Sequence, residues 1–186
     1  EVASIDFHRY PDRAATALRR GIAELHGVGI ENVFVANGSN EVLQVLSLTY
    51  AGPGRTVAVF EPTYAMHGQI AKIAGSEVAV GWRGPDLALD LAEVRRVIAE
   101  AAPAITYLCS PNNPTGMIES REVVEEVLGL VPGLLVVDEA YGQFAPWSAL
   151  ELLDEDRPLV VTRTFSKTWS MAAARLGYLI APSWVV

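Results

Sequence analysis

Pro158-Leu-Val-Val-Thr-Arg-Thr-Phe-Ser-Lys-Thr-Trp-Ser-Met-Ala-Ala-Ala-Arg175 joins an apolar run to a group of polar residues. The run beginning at Leu159 shows no strict alternation of apolar and polar side chains. It therefore reads as a strand covered on both faces. Past its end the chain gathers Thr164, Ser166, Lys167 and Arg175. A lysine set between hydroxyls and an apolar helix start is a candidate covalent catalyst. Desolvation and nearby cations lower an ammonium pKa until the amine becomes nucleophilic. Most loop lysines are simply solvated, so the partners supplied by the rest of the chain decide the matter.

Reading outward, the same pattern recurs. Asn32–Ala36, Thr56–Phe60, Glu77–Val80, Ala104–Cys109, Leu134–Val137 and Leu176–Ile180 read as further strands. Between them lie helical periodicities. Asp12 can cap a helix with Ala15, Leu18, Ile22 and Leu25 on one face, ended by Gly27. Gly38-Ser-Asn-Glu41 opens a helix with Val42, Leu43, Val45, Leu46 and Leu48, apolar nearly all round and expected to be buried. Pro62-Thr-Tyr64 introduces a third, with Met66, Ile70 and Ile73 on its face. Asp90 and Ser120 are N-cap candidates for two more, with Leu91, Val94 and Ile98 and with Val123, Val124, Val127, Leu128 and Val131 inward. A longer connection, about residues 139 to 157, holds a short helical pattern near Ala149–Leu153. Alternating helices and apolar strands predict a three-layer α/β/α fold on a mostly parallel sheet of about seven strands.

Composition narrows the function classes. A chain of 186 residues with 51% hydrophobic content is expected to form one domain, burying roughly 70% of its unfolded surface. A net charge of −8 and the lack of any basic tract argue against nucleic acid as a partner. Cys109 stands alone, which excludes an intrachain disulfide and suits a reducing cytoplasm. No apolar run approaches a membrane span, and no signal-peptide pattern opens the sequence. A soluble cytoplasmic protein is the expectation.

Polar residues collect where such sheets bind ligands, outside the carboxyl ends of the strands. Gly38-Ser39-Asn40 follows the first strand, Asn113 the fourth, Asp138 ends the fifth, and Lys167 follows the sixth. A helix N-terminus at Ser39 offers unpaired N–H groups for a phosphate, although taken alone the stretch reads first as an ordinary N-cap by Ser39 or Asn40. Arg175, Thr164 and Ser166 could complete such a site. Asp138, at the end of an apolar strand, needs a cation: either Lys167, as a structural ion pair, or a protonated heterocycle. Asn113 could be an ordinary turn residue and Tyr141 an ordinary packing ring. One arrangement employs all of them: a lysine for a Schiff base, an aspartate for a pyridinium nitrogen, Asn and Tyr for a phenolic oxygen, and a helix start with Ser and Arg for a phosphate. It describes pyridoxal 5′-phosphate.

Ser110-Pro-Asn-Asn-Pro-Thr-Gly116, Asp138-Glu-Ala-Tyr141, Arg163-Thr-Phe-Ser-Lys-Thr-Trp169 and Arg175-Leu-Gly-Tyr178 resemble the motifs of fold-type I aminotransferases of classes I and II, nearest to the histidinol-phosphate aminotransferase family. Asn113, Asp138, Lys167 and Arg175 follow one another at intervals of 25, 29 and 8 residues. Tyr10-Pro-Asp12, Gly38-Ser-Asn-Glu41 and Pro62-Thr-Tyr64 are similar to earlier blocks of that family. The resemblance implies that Lys167 bonds covalently to the cofactor and shuttles a proton, and that Asp138 pairs with the pyridine nitrogen. It further implies that Asn113 and Tyr141 hydrogen-bond the phenolic oxygen. Gly38, Ser39, Asn40, Thr164, Ser166 and Arg175 would bind the phosphate, and Tyr64 would stack on the ring. Tyr10 would reach the cofactor of a neighbouring subunit, which implies a homodimer with shared active sites.

Departures from the family pattern are few. Ser170 and Ala173 stand where glycine is common. The family's chains are about twice this length, so residues 1–186 are expected to be the cofactor-binding large domain, without the N-terminal arm and the small domain that carries the substrate-carboxylate arginine. Transamination between a histidinol-phosphate-like amino donor and a 2-oxo acid such as 2-oxoglutarate is the leading expectation. An aromatic aminotransferase, a threonine-phosphate decarboxylase-like enzyme and a non-catalytic cofactor-binding fragment are the alternatives. His8, His26 and His67 lack metal-ligand spacing and read as surface or helix-packing residues. Cys109 reads as a buried apolar group, Glu139 as either a loop support or exposed, and the acidic run Glu151–Asp156 as a solvated face.

Overall fold

The computed structural model describes residues 8–186. Seven strands form one sheet: β1 (Val33–Ala36), β2 (Thr56–Glu61), β3 (Glu77–Trp82), β4 (Ile105–Cys109), β5 (Leu134–Asp138), β6 (Leu159–Thr164) and β7 (Gly177–Ile180). Their order across the sheet is β1-β7-β6-β5-β4-β2-β3. β3, β2, β4, β5 and β6 run parallel, whereas β7 is antiparallel to both β6 and β1. Since β1 and β6 both oppose β7, they point the same way, and their carboxyl ends share one rim.

Helices cover both faces: α1 (Thr16–His26), α2 (Ser39–Tyr50), α3 (Met66–Ile73), α4 (Leu91–Ala101) and α5 (Arg121–Leu130). Strand residues alternate between the two covers, as the period of two requires. On β5, Leu134 and Val136 pack with α2 and α3, while Leu135 and Val137 pack with α4, α5 and a one-turn 3₁₀ helix at Ala149–Leu152. Every β5 residue is therefore buried, which is why the strand shows no polar alternation in sequence. The third cluster, Ile22 and Ala23 against Val33, Tyr178 and Ile180, seats α1 over the β1–β7 edge.

Helix ends follow their expected chemistry. The Asp90 carboxylate accepts from the Ala92 N–H at 2.8 Å, and Ser120 Oγ accepts from the Val123 N–H. Gly27 takes the left-handed conformation, φ +66°, that closes α1. Asp12 lies four residues ahead of α1, yet its carboxylate accepts the Thr16 N–H at 2.8 Å.

Three sequence expectations need correction. α2 is not buried all round: Val42, Leu43 and Leu46 are covered, but Leu48 is 59% exposed and Val45 is also open. One helix face meets the sheet and α3, and nothing among the described residues covers the opposite side. Ile73, at the end of α3, is 70% exposed for the same reason. The segment after Lys167 forms bends and a three-residue 3₁₀ helix at Ala172–Ala174, not the α-helix start that its apolar residues imply. Ser170 and Arg175 there adopt positive φ, and left-handed backbone cannot continue a right-handed helix.

Candidate active site

A cavity of about 240 Å³ opens at the carboxyl rim of the sheet. Five connections line it. Ser39 and Asn40 come from the start of α2, Tyr64 from the turn after β2, and Asn113 from the loop after β4. Asp138 ends β5, with Ala140 and Tyr141 after it, and Thr164 ends β6, with Ser166, Lys167 and Arg175 after it. The rim adjoins the place where the chain reverses direction across the sheet, β2 leading outward to β3 and β4 returning to its other side.

Ten of the twelve sequence-derived candidates thus share one wall or another of this cavity. Gly38 lies just outside, as the residue before α2 with φ +91°. A Cβ there would sit 2.4 Å from Arg175 Nη2, so the guanidinium reaches the helix start only because residue 38 is glycine. Gly177 of β7 makes an analogous close approach, since a Cβ would fall 2.2 Å from the Ser39 nitrogen. Arg175 also donates to Ser166 Oγ at 3.3 Å and to the Ala172 carbonyl at 3.1 Å. Two cationic elements, the guanidinium and the amino end of α2, therefore meet over one spot with Ser166, a fit for a single small anion. Tyr10 is not part of the cavity; its side chain is fully exposed.

Asp138 is 1% exposed. It continues the parity of Leu134 and Val136, so its carboxylate faces the α2–α3 side. There Oδ2 meets His67 Nε2 at 2.9 Å, and Oδ1 accepts the Ala140 N–H at 3.0 Å. The structural ion pair with Lys167 does not form. His67 is a correction in its own right: it is wholly buried on α3, not a surface or simple packing histidine. Its one legible signal is position, three residues past Tyr64 in the first turn of α3.

Lys167 is exposed at the cavity, with Nζ 5.3 Å from the centroid of the Tyr141 ring. Tyr64 donates its hydroxyl to Asn40 Oδ1 at 3.1 Å, tying the β2 turn to the start of α2. Asn112 and Asn113 divide their labour. Asn112 is buried and clamps its loop, donating to the Pro62 carbonyl and Thr115 Oγ1 and accepting from Thr63 Oγ1. Asn113 is left to line the cavity. Cys109 also lines it; burial, followed by the Asp138 charge, pushes the thiol up to about 12, leaving it inert as a nucleophile.

Behind the rim, Glu139 is 3% exposed. Its carboxylate accepts from Arg163 Nε and Nη2, Ser148 Oγ and the Ala149 N–H. Of the two expectations for Glu139, loop support is the one that the structure shows. Glu155, within the acidic run read as solvated, accepts from the Ser183 N–H at 2.9 Å and fastens the C-terminal turn to the body. Among the described residues no three acidic, histidine or cysteine side chains cluster as a metal site, and no helix is long and apolar enough to cross a membrane.

The family model described as aminotransferase class I and II matches residues 2–186. The chain belongs to the class I and II aminotransferases. Among curated relatives, the histidinol-phosphate aminotransferase of Streptomyces avermitilis is 47% identical over 95% of this chain and 51% of its own length. That of Mycobacterium marinum is 43% identical over 96% of this chain and 49% of its own length. The chain spans about half the length of the curated relatives it matches. Among solved structures, the histidinol-phosphate aminotransferase of Sinorhizobium meliloti in complex with pyridoxal-5′-phosphate aligns with a TM-score of 0.87. It is 27% identical, over 97% of this chain and 50% of that one. The aspartate aminotransferase of Thermotoga maritima aligns at 0.85, 28% identical, over 95% and 51%. An aminotransferase with a different donor thus shares this fold almost equally, so the fold does not choose the substrate.

Proposed function

We propose that residues 1–186 form the cofactor-binding large domain of a pyridoxal phosphate-dependent aminotransferase that moves an amino group from a histidinol-phosphate-like donor to a 2-oxo acid such as 2-oxoglutarate. The carrying observation is the convergence, in one cavity, of an amine (Lys167), a buried carboxylate (Asp138) and a one-anion site (the α2 start, Ser166 and Arg175). These groups match an aldehyde, a basic ring nitrogen and a phosphate, the three handles of pyridoxal phosphate. Identities of 43% and 47% to histidinol-phosphate aminotransferases support the choice of donor.

When bound, the cofactor supplies an aldehyde for the donor amine and a ring that takes up negative charge from the donor's Cα. The protein's own residues do the rest. Asp138 would hold a proton at the ring nitrogen, a match for its burial because a buried carboxylate favours a cationic partner. Lys167 Nζ would hold the cofactor covalently and, when free, would be the base for the donor's Cα proton. Asn113 and Tyr141 would hydrogen-bond the phenolic oxygen, Tyr64 would stack on the ring, and Ser39, Asn40, Thr164, Ser166 and Arg175 would hold the phosphate. Tyr10, fully exposed on its own subunit, serves the neighbour's cofactor in a homodimer. The protein acts in the cytoplasm, where the lone Cys109 stays reduced.

Borohydride trapping of the intact protein with pyridoxal phosphate tests the assignment. A covalent adduct forms in the wild type and is abolished by Lys167→Ala; an adduct retained in the variant would overturn the role of Lys167. Supplying histidinol phosphate with 2-oxoglutarate yields glutamate. Release of carbon dioxide without glutamate would overturn transamination.

A further inference from the structure

We infer that the buried ion pair of Arg83 with Glu119 positions the loop after β4, setting Asn113 where it meets the phenolic oxygen of the cofactor. The inference rests on the cofactor reading above and deepens it to two residues outside the cavity wall. Both side chains are almost fully covered, and Arg83 Nη1 lies 2.7 Å from Glu119 Oε1. Glu119 closes the loop that carries Asn113. Its N–H donates to Ser110 Oγ at 3.0 Å, joining the two ends of the segment 110–119. Its carbonyl accepts from Trp147 Nε1 at 3.0 Å. At the other end, the Ser110 N–H donates to the carbonyl of Asp138, so the loop stands on the strand that delivers the buried carboxylate. Within the closure, the Asn112 N–H donates to the Met117 carbonyl and the Gly116 N–H to the Asn112 carbonyl, both at 2.7 Å. A loop cross-tied in this way moves as a unit, so its base sets the place of Asn113.

Arg83 fixes that base from the corner between β2 and β3. Its N–H donates to the Glu61 carbonyl at 2.8 Å, and Nη1 also donates to the Leu87 carbonyl at 3.2 Å. As a device for stability alone the pair is a poor choice. Arg83 Nε is buried without a partner, and desolvation of two charges offsets much of their attraction. An apolar pair of similar volume would hold the fold as well. What the charges add is direction, since a guanidinium and a carboxylate meet at one separation and angle while apolar side chains slide. The same corner grips the loop a second time, where Asn112 donates to the Pro62 carbonyl and accepts from Thr63 Oγ1. Asn113 lies between the two grips along the chain, with its side chain at the cavity.

The test reads the pH midpoint of the visible absorption band that pyridoxal phosphate gains when bound to the intact protein. A hydrogen bond donated to the phenolic oxygen stabilises its negative charge and lowers that midpoint, so a displaced Asn113 raises it. Arg83→Met combined with Glu119→Leu removes both charges without orphaning either. It raises the midpoint by about one unit, close to the effect of Asn113→Ala. Added to Asn113→Ala, the pair of changes contributes less than about 0.3 unit, because it acts only through that side chain. Glu119→Gln, which keeps an oxygen for Arg83, stays within about 0.3 unit of the wild type. Glu119→Asp, which keeps both charges but falls one methylene short, gives the same comparison if the apolar pair prevents folding. In the cofactor-free protein, the amides of Asn112 and Gly116 exchange about tenfold faster in the variant, while those of Leu135 and Val136 do not change. An unmoved midpoint, a shift that adds fully to that of Asn113→Ala, or unchanged exchange in the loop would overturn the inference. A wild type that gains no such band would sink the cofactor reading, and the inference with it.

Discussion

Asp138 and Glu139 are neighbours in sequence, both buried, both at the end of β5, and they do opposite things. Strand parity turns Asp138 to the α2–α3 side and the cavity, where its partners are a histidine and one backbone N–H. Glu139 turns away and is saturated by Arg163, Ser148 and the Ala149 N–H. A buried carboxylate with a full cationic partner is finished as a structural element. One held only by a histidine and a backbone N–H, with no Lys or Arg beside it, still has electrostatic capacity to offer a ligand. The contrast separates support from chemistry more sharply than burial does, since both groups are nearly inaccessible.

The comparison can be broken at either residue. Glu139→Leu leaves the partly buried Arg163 without its counter-ion and is expected to cost about 2–4 kcal/mol of stability, read by denaturant unfolding. Asp138→Asn keeps size but turns an amide NH2 toward one of the two donors that hold the carboxylate; it is expected to cost only about 1–2 kcal/mol of stability while cutting transamination by the intact protein at least about a hundredfold. If the two variants exchanged phenotypes, the division of roles would be wrong.

A smaller effect probes the Glu139 side through pH. His26 Nε2 lies 2.9 Å from the Tyr178 hydroxyl. Burial first, and the Arg163 charge second, lower its pKa from 6.5 to about 4. Folding therefore favours the neutral imidazole. The stability this contributes is fully present above pH 6.5 and is lost as pH falls toward 4. For a partly exposed group the loss is on the order of 1–2 kcal/mol after discounting for solvent screening. His26→Gln should remove that part of the acid destabilisation, measured as the difference in unfolding free energy between pH 7 and pH 4.5. An unchanged difference would show that His26 does not sense this region.

Much of this was legible along the chain. The unbroken apolar run of Leu134–Val137 marks a doubly covered strand, because both parities face a helix layer. Asp90 and Ser120 mark helix starts because capping is a local interaction. Lys167, Asp138, Asn113 and Arg175 stand out because each follows a strand, and parallel strands bring such positions to one rim. Less was legible where the local signal is degenerate. Val45 and Leu48 look like core residues, yet a helix resting on a sheet has an outer side whatever its composition. Ala172–Ala174 looks helical, yet left-handed Ser170 and Arg175 bracket it.

The sequence by itself determined which elements form and which reactive groups sit at their ends, since caps, turns and periodicity act over a few residues. Only the tertiary structure decided that β1 joins the sheet beside β7, so that the start of α2 and Arg175 meet over one cavity. It alone also gave Asp138 a histidine 71 residues away in place of the nearby lysine. Those pairings depend on which faces pack against each other, and a one-dimensional pattern does not encode that choice locally.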